Sequence, residues 1–331
     1  MKYGLIGKTL KHSYSKIIHE QLIENYTYDL CSLDEEEFKT FMESKSFQAI
    51  NVTIPYKQSV IPYLDWMDPR ANKINAVNTI VNKEGKLYGY NTDYDGFMYT
   101  IQKHNIQIQN KKVLILGDGG ASQAVQAVMS DLHAKKIIIA NRTKKSNTIS
   151  FEEAVTNHDD AQIIINTTPV GMYPDTHQSV IDLVPFMRCE AVVDCIYNPM
   201  QTEFIAQARQ LKIPTVVSGM EMLVAQAIKA LEHFKNIHIP KYMIEETYKN
   251  IMYQTTNIIV TGNDCDKYKK LAHILHKNFI QTMDTSYALK NNYIIVTESI
   301  ESQDWTQNGW IIQDDTVEHM IQEYKQSIEQ L

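Results

Sequence analysis

Short apolar runs alternate along the chain with longer stretches in which apolar residues recur at helical spacing. Residues 3–7 predict a strand, and residues 15–25, with Ile17, Ile18 and Leu22 on one side, a helix. A second strand is expected at 28–32. A helix at 35–43 opens on acidic residues, which suit a helix N-terminus. A third strand at 47–53 stops at Pro55. Residues 79–82 and 86–89 flank a Glu84-Gly85 turn and read as a hairpin.

The pattern begins again near Lys111. Strands are expected at 113–116, 136–140, 161–166, 191–194 and 214–217, separated by helical stretches. That alternation argues for an α/β fold, a mostly parallel sheet with helices on both faces. Residues 220–234 predict a strong helix, and Pro240 opens another that runs to about Met252. After Thr255 the alternation restarts. Strands are expected at 257–261, 293–297 and 310–313 and a helix at 266–279. A last helix carries Val317, Met320, Ile321, Tyr324, Ile328 and Leu331 on one stripe. The expected organisation is three units: 1–100 completed by the helices of 220–253, then 101–219, then a small α/β module at 255–331.

Composition narrows the class. At roughly 100–200 residues per domain, 331 residues point to two domains with room for an addition. Hydrophobic residues make up 44% and charged residues 21%, as in an ordinary globular protein. The formal charge of −7 argues against a general nucleic-acid binder. No apolar run approaches the ~18–20 residues that span a bilayer, and the first residues have no signal-peptide pattern. The four cysteines, Cys31, Cys189, Cys195 and Cys265, form no C-x-x-C pair. They read as free thiols of a cytoplasmic protein. No metal site is expected. His273 and His276 have ligand-compatible spacing, but no third ligand stands out.

The first chemical signal is Val113-Leu-Ile-Leu-Gly117-Asp-Gly119-Gly120-Ala121-Ser122, a strand, a glycine turn and a helix start. Gly117 permits the tight turn, and Gly119 allows close approach of a pyrophosphate to free N–H groups at the helix start. A plain structural turn is the alternative. Asp118 conflicts with the ligand reading, since a carboxylate there would repel a pyrophosphate unless it caps the helix or faces solvent. At the end of the next strand, where NAD sites carry an acid, stand Asn141-Arg142-Thr143-Lys144-Lys145. Those cations suit an adenosine 2′-phosphate, hence NADP.

Polar clusters mark the first unit: Ser13-Tyr14-Ser15, Asn51-Val-Thr53-Ile-Pro-Tyr-Lys57, Ala76-Val-Asn78-Thr79 and Asn91-Thr-Asp93. Gln226 sits in an apolar helix, where a buried amide needs partners. Each has a plain alternative. Ser13 or Ser15 would serve as an N-cap, Asn78 and Asp93 as turn residues, and Gln226 as a partner for backbone.

Taken together, HSYS, NVTIPYK, AVNT, YNTD, LGDGGAS, NRT, NTTPVGM and GMEMLVAQA, in this order over about residues 3–250, resemble the shikimate dehydrogenase family. The resemblance implies a substrate domain, a Rossmann-type domain and reversible NADPH-dependent reduction of 3-dehydroshikimate to shikimate. It implies Lys57 and Asp93 as the catalytic pair. Ser13, Ser15 and Tyr197 match residues at the substrate carboxylate, and Thr53, Asn78 and Gln226 match other ligand contacts. Gly117, Gly119, Gly120 and Ala121 match the pyrophosphate loop. Asn141, Arg142 and Thr143 match the 2′-phosphate site, with Lys144 or Lys145 replacing a further basic residue that aligns with Ser146. Gly219 and Met220 match the nicotinamide side. The implied partners are the small-molecule substrate and product, with no nucleic acid and no membrane, and a homodimer is admitted. The alternatives are a quinate/shikimate dehydrogenase using NAD and a non-catalytic shikimate-binding regulator.

Three departures stand out. Lys16 replaces a proline after the second serine. The chain is short between Thr143 and Ala161, where the family places a helix and another strand. The extension is additional, and from Asn257 it weakly resembles the opening of shikimate kinase. Its phosphate loop is broken: after Gly262 the second glycine is missing, and Lys267, Tyr268 and Lys269 stand where G-K-[ST] belongs. The expectation is a kinase-like remnant without ATP chemistry.

Overall fold

The computed structural model describes residues 1–10 and 13–255, and beyond them the strands at 257–261, 279–281, 293–297 and 311–312. The broken phosphate loop, Cys265, His273 and His276, and the expected final helix lie outside the described residues. So does the expected helix at 266–279, except that Phe279 begins a strand instead.

A six-stranded sheet comes first. It is built from β1 (Tyr3–Gly7), β2 (Asp29–Ser32), β3 (Ala49–Val52), β4 (Trp66–Met67), β5 (Thr79–Lys83) and β6 (Lys86–Tyr90). Its order is β2-β1-β3-β5-β6-β4. β1 runs parallel to β2 and β3, while the β5–β6 hairpin is inserted antiparallel to β3. The hairpin reverses the chain so that the end of β3, the start of β5 and the end of β6 meet at one edge, with Asn51 opposite Thr79 and Thr79 opposite Tyr90. α1 (Tyr14–Leu22), α2 (Glu35–Ser44) and α3 (Pro69–Ile74) join these strands. α2 begins in a capping box, Asp34 with Glu37. α3 begins at Asp68 with proline in its first turn.

The second sheet is wholly parallel: β7 (Lys112–Leu116), β8 (Lys136–Ala140), β9 (Ile163–Asn166), β10 (Ala191–Asp194) and β11 (Thr215–Val217), ordered β11-β10-β9-β7-β8. Its strands are apolar on both faces, as burial on both faces requires. Val113 and Ile115 pack on one side with α5 (Gly120–Asp131), and Leu114 and Leu116 on the other with α6 (Phe151–Asn157) and α7 (Glu203–Gln210). Beyond β8, where the chain is short for the family's further strand, it makes a single bridge, Ala140 to Ile149. The Ser150–Glu153 capping box then opens α6 at once.

Two helices join the sheets. α4 (Thr92–Lys103) puts Tyr94, Phe97 and Ile101 into the core of the second sheet. α8 (Met220–Lys235) adds Met222 there, and Ala230, Leu231 and Phe234 to the core of the first sheet. α9 (Tyr242–Thr255) follows. The strands β12 (Asn257–Thr261), β13 (Phe279–Gln281), β14 (Tyr293–Thr297) and β15 (Ile311–Ile312) pair in parallel in the order β13-β12-β14-β15. The strands expected at 257–261 and 293–297 are present, and the one expected at 310–313 covers Ile311–Ile312.

Candidate active site

The shared edge of β3, β5 and β6 gathers residues far apart in the chain. Lys57 follows β3, and Asp93 lies in the first turn of α4. Lys57 Nζ lies 2.5 Å from Asp93 Oδ2, with the two side chains only 16% and 10% exposed. Asp93 is therefore helical and not the turn residue its neighbours suggested. Asn91 caps the helix by accepting from Tyr94 N.

Asn78 organises this corner. Its Nδ2 donates to Asp93 Oδ1 at 2.9 Å, and its Oδ1 accepts from Thr92 N at 2.8 Å and from Thr79 Oγ1 at 2.9 Å. Behind it, the Tyr28 hydroxyl donates to Asn51 Oδ1, and Asn51 Nδ2 donates to Asn78 O. Tyr28, Asn51 and Thr92 were assigned no role in the sequence. The signal for them is burial, since polar groups buried this deeply need partners. The residue before Lys57 is pinned as well: Tyr56 donates to Leu33 O and stacks on Phe38.

Ser13 caps α1, accepting from Ser15 N at 3.2 Å, so its plain reading holds; Ser15 is buried in the first turn. Tyr14 meets Tyr197 edge-on at 5.6 Å, which brings the start of α1 to the loop after β10. Burial raises the Tyr197 phenol. Lys16, in place of proline, donates to Glu20 and to Tyr28 O, tying α1 to the start of β2. Thr53 is half-buried at the end of β3. Gln226 is half-buried too, not buried as its apolar helix implied, and its amide donates to Leu223 O. It lies where α8 crosses α4: a Cβ at Gly96 would lie 2.9 Å from Gln226 Cβ.

The second sheet meets this corner at the carboxyl ends of its strands, where such sheets bind ligands. Gly117 takes φ +105°, and a Cβ there would lie 2.7 Å from Thr167 Oγ1. Ser122, in the place of a third glycine, donates to Gly117 O at 2.8 Å and holds the turn from within. The residues present fit a dinucleotide phosphate. A Cβ at Gly119 would meet nothing within 4 Å, and no side chain caps the first turn of α5. A Cβ at Gly120 would lie 3.3 Å from Lys57 Cδ, so the lysine stem packs against this turn.

Asp118 neither caps α5 nor faces solvent; its carboxylate accepts from Lys145 Nζ at 2.6 Å. Lys144 turns to Glu153. Arg142 is exposed and, among the described residues, has no ion-pair partner; Asn141 Oδ1 accepts from Arg142 N. Thr143 is exposed beside them. Gly219 donates to Ile196 O, and Met220 is buried at the start of α8.

A further node was not foreseen. Asp194 is fully buried at the end of β10 and accepts from Thr202 Oγ1, Ile196 N and Asn166 Nδ2. Burial pushes its carboxyl up to about 7, against the pull of those three hydrogen bonds. It fixes both ends of the loop that carries Tyr197. Through Asn166 it reaches Thr168, beside the Gly117 turn.

Comparison with known proteins identifies the family. The family model described as the shikimate dehydrogenase substrate binding domain matches residues 5–80. The shikimate dehydrogenase (NADP(+)) of Clostridium beijerinckii is 36% identical over 260 residues, 74% of this chain and 96% of that protein. The crystal structure of shikimate dehydrogenase 1 from Peptoclostridium difficile has a TM-score of 0.70 at 35% identity, covering 76% of this chain and 98% of that one. The Thermus thermophilus enzyme in complex with NADP(H) and shikimate has a TM-score of 0.67 at 26% identity, covering 76% and 99%. A relative more than a third identical, matched over nearly its whole length, makes this chain a member of the shikimate dehydrogenase family.

Proposed function

We propose that the chain catalyses the reversible, NADP-linked reduction of 3-dehydroshikimate to shikimate. The observation that carries this reading is the Lys57–Asp93 pair packed against Gly120 at the start of α5. When bound, the nicotinamide supplies the hydride. Hydride transfer to a ketone leaves negative charge on oxygen, and Lys57, as an ammonium, donates the proton that quenches it. In the reverse direction its amine accepts the hydroxyl proton. Asp93 orients Lys57 through Oδ2, while Asn78 holds Oδ1 and fixes the carboxylate plane.

In this reading Ser13, Ser15 and Tyr197 hold the substrate carboxylate, and Thr53, Asn78 and Gln226 its hydroxyls. Gly117, Gly119, Gly120 and Ala121 receive the pyrophosphate. Asn141, Arg142, Thr143 and Lys145 receive the 2′-phosphate, and Gly219 and Met220 border the nicotinamide. Residues 1–100 with 220–253 form the substrate part and 101–219 the dinucleotide part. The free thiols Cys31, Cys189 and Cys195 support a cytoplasmic setting.

The test is Lys57→Ala. Loss of the proton donor lowers kcat about 10²–10⁴-fold, followed by absorbance of the reduced nicotinamide with shikimate and NADP+. NADP+ affinity by calorimetry stays near that of the parent. A variant with undiminished kcat removes the catalytic assignment.

A further inference from the structure

Asp118 lies inside the turn that faces the pyrophosphate in the functional reading above, where a carboxylate is a liability. Like charges at short range oppose each other, and the low-dielectric edge of a cleft strengthens the effect. The carboxylate is not directed into water. Its side chain is 13% exposed, and its Oδ2 lies 2.6 Å from Lys145 Nζ, on the loop after β8.

That loop is not a loose surface strand. Lys145 N donates to Thr148 Oγ1, Thr148 N donates back to Lys145 O, and Thr148 is buried. Asn141 N donates to Ile149 O, closing the base of the loop. Lys145 is thus set on a fixed turn, and its ammonium reaches back across the end of the sheet to the glycine turn. Lys144 is held by Glu153. Two of the three cations on this loop are therefore bound to carboxylates of the same chain, and Arg142 is free of ion pairs among the described residues.

We propose that Asp118 is a specificity-determining residue that competes with an adenosine 2′-phosphate for Lys145. The inference rests on the dinucleotide reading and deepens it. With no 2′-phosphate present, Asp118 holds the ammonium. A bound 2′-phosphate draws on the same ammonium, and Asp118 is left partly unpaired beside the pyrophosphate. Affinity for the phosphorylated dinucleotide is attenuated twice: by repulsion at the pyrophosphate, which NAD shares, and by competition for Lys145, which NAD does not. Removing the carboxylate therefore strengthens binding of both dinucleotides, and of NADP+ more than NAD+.

The experiment is isothermal titration of the full-length protein with NADP+ and with NAD+, comparing wild type, Asp118→Asn, Lys145→Ala and the double variant. Thermal midpoints verify folding, and Asp118→Ala serves as a second replacement. Asp118→Asn is expected to raise the NADP+/NAD+ affinity ratio about threefold or more, the scale of a partly exposed ion pair. In the Lys145→Ala background the same replacement leaves the ratio unchanged, because the competitor has nothing to release. A ratio that falls in Asp118→Asn shows that the carboxylate presents Lys145 to the phosphate, and overturns the proposal. An equal rise in both backgrounds overturns it as well, leaving simple repulsion. Failure of the wild type to bind either dinucleotide removes the functional reading itself.

Discussion

His19 is fully buried, and among the described residues its Nε2 has no hydrogen-bond partner. Nδ1 is 3.3 Å from the Tyr26 hydroxyl, and the ring lies against Tyr28 and Phe234. Burial lowers its pKa to about 3, because the charged ring has no water and no counter-ion there. The folded value lies below the unfolded one, so the unfolded chain takes up the proton first as pH falls. Stability from a neutral His19 is present above about pH 6.5 and is lost on acidification towards pH 3. Between pH 7 and pH 5 this single group costs about 2 kcal/mol. His19→Phe keeps the stacked ring and removes the titration. Its thermal midpoint, followed by near-ultraviolet circular dichroism, should therefore fall less than the parent's between those two pH values. Parallel curves for the two proteins would contradict the assignment. The sequence does not mark His19 as buried: Ile17, expected on the same side of the helix as Ile18, is exposed, while Ile18 is buried beside His19.

At the scale of elements, the parallel strands were legible because apolar runs bounded by glycine or polar residues leave few other readings. α4 was not, although Asn91 caps it and Asp93 and Asp95 suit its first turn. Gly96 in its second turn weakens helical propensity, and packing overrides the local signal. A Cβ there would lie 2.5 Å from Met222 O and 3.1 Å from Gln226 N, so the glycine lets α8 cross at backbone contact. The Lys57–Asp93 corner depends on that crossing, since α4 carries Asp93 and α8 carries Gln226. Lys57, Asp93 and Asn78 were named through the motifs. Their convergence depends on strand pairing across distant segments, which no local pattern encodes. The Asp118–Lys145 pair was hidden for the same reason. Gly96→Ala tests the crossing. Alanine gains up to about 1 kcal/mol of helix propensity, and overpacking against backbone costs about 1–3 kcal/mol. The expected result is a lower thermal midpoint together with a raised KM for shikimate. A raised midpoint would mean that the helices separate without cost.

At the scale of the molecule, the two sheets are held by more than the Lys57–Asp93 corner. α8 enters both cores, with Met222 in one and Leu231 and Phe234 in the other. On the far side of α5, Asp131 accepts from Lys73 and from the Tyr94 hydroxyl. Those ties lie within residues 1–255, as does every residue assigned to the site. Three quarters of this chain also accounts for nearly the whole length of the Clostridium beijerinckii relative. Domains that carry their own core fold alone, and among the described residues the cores on either side of α8 are built entirely from residues that precede the end of α9. A chain ending at Thr255 should therefore fold and keep kcat/KM for shikimate within about threefold of the full chain, the spread expected when no site residue is removed. Steady-state assays of the two proteins, with circular dichroism to verify folding, decide the point. A folded truncated chain that loses more than about tenfold in kcat/KM, a cost of 1.4 kcal/mol in transition-state binding, would show that the extension acts on the catalytic cleft and is not a separate appendage.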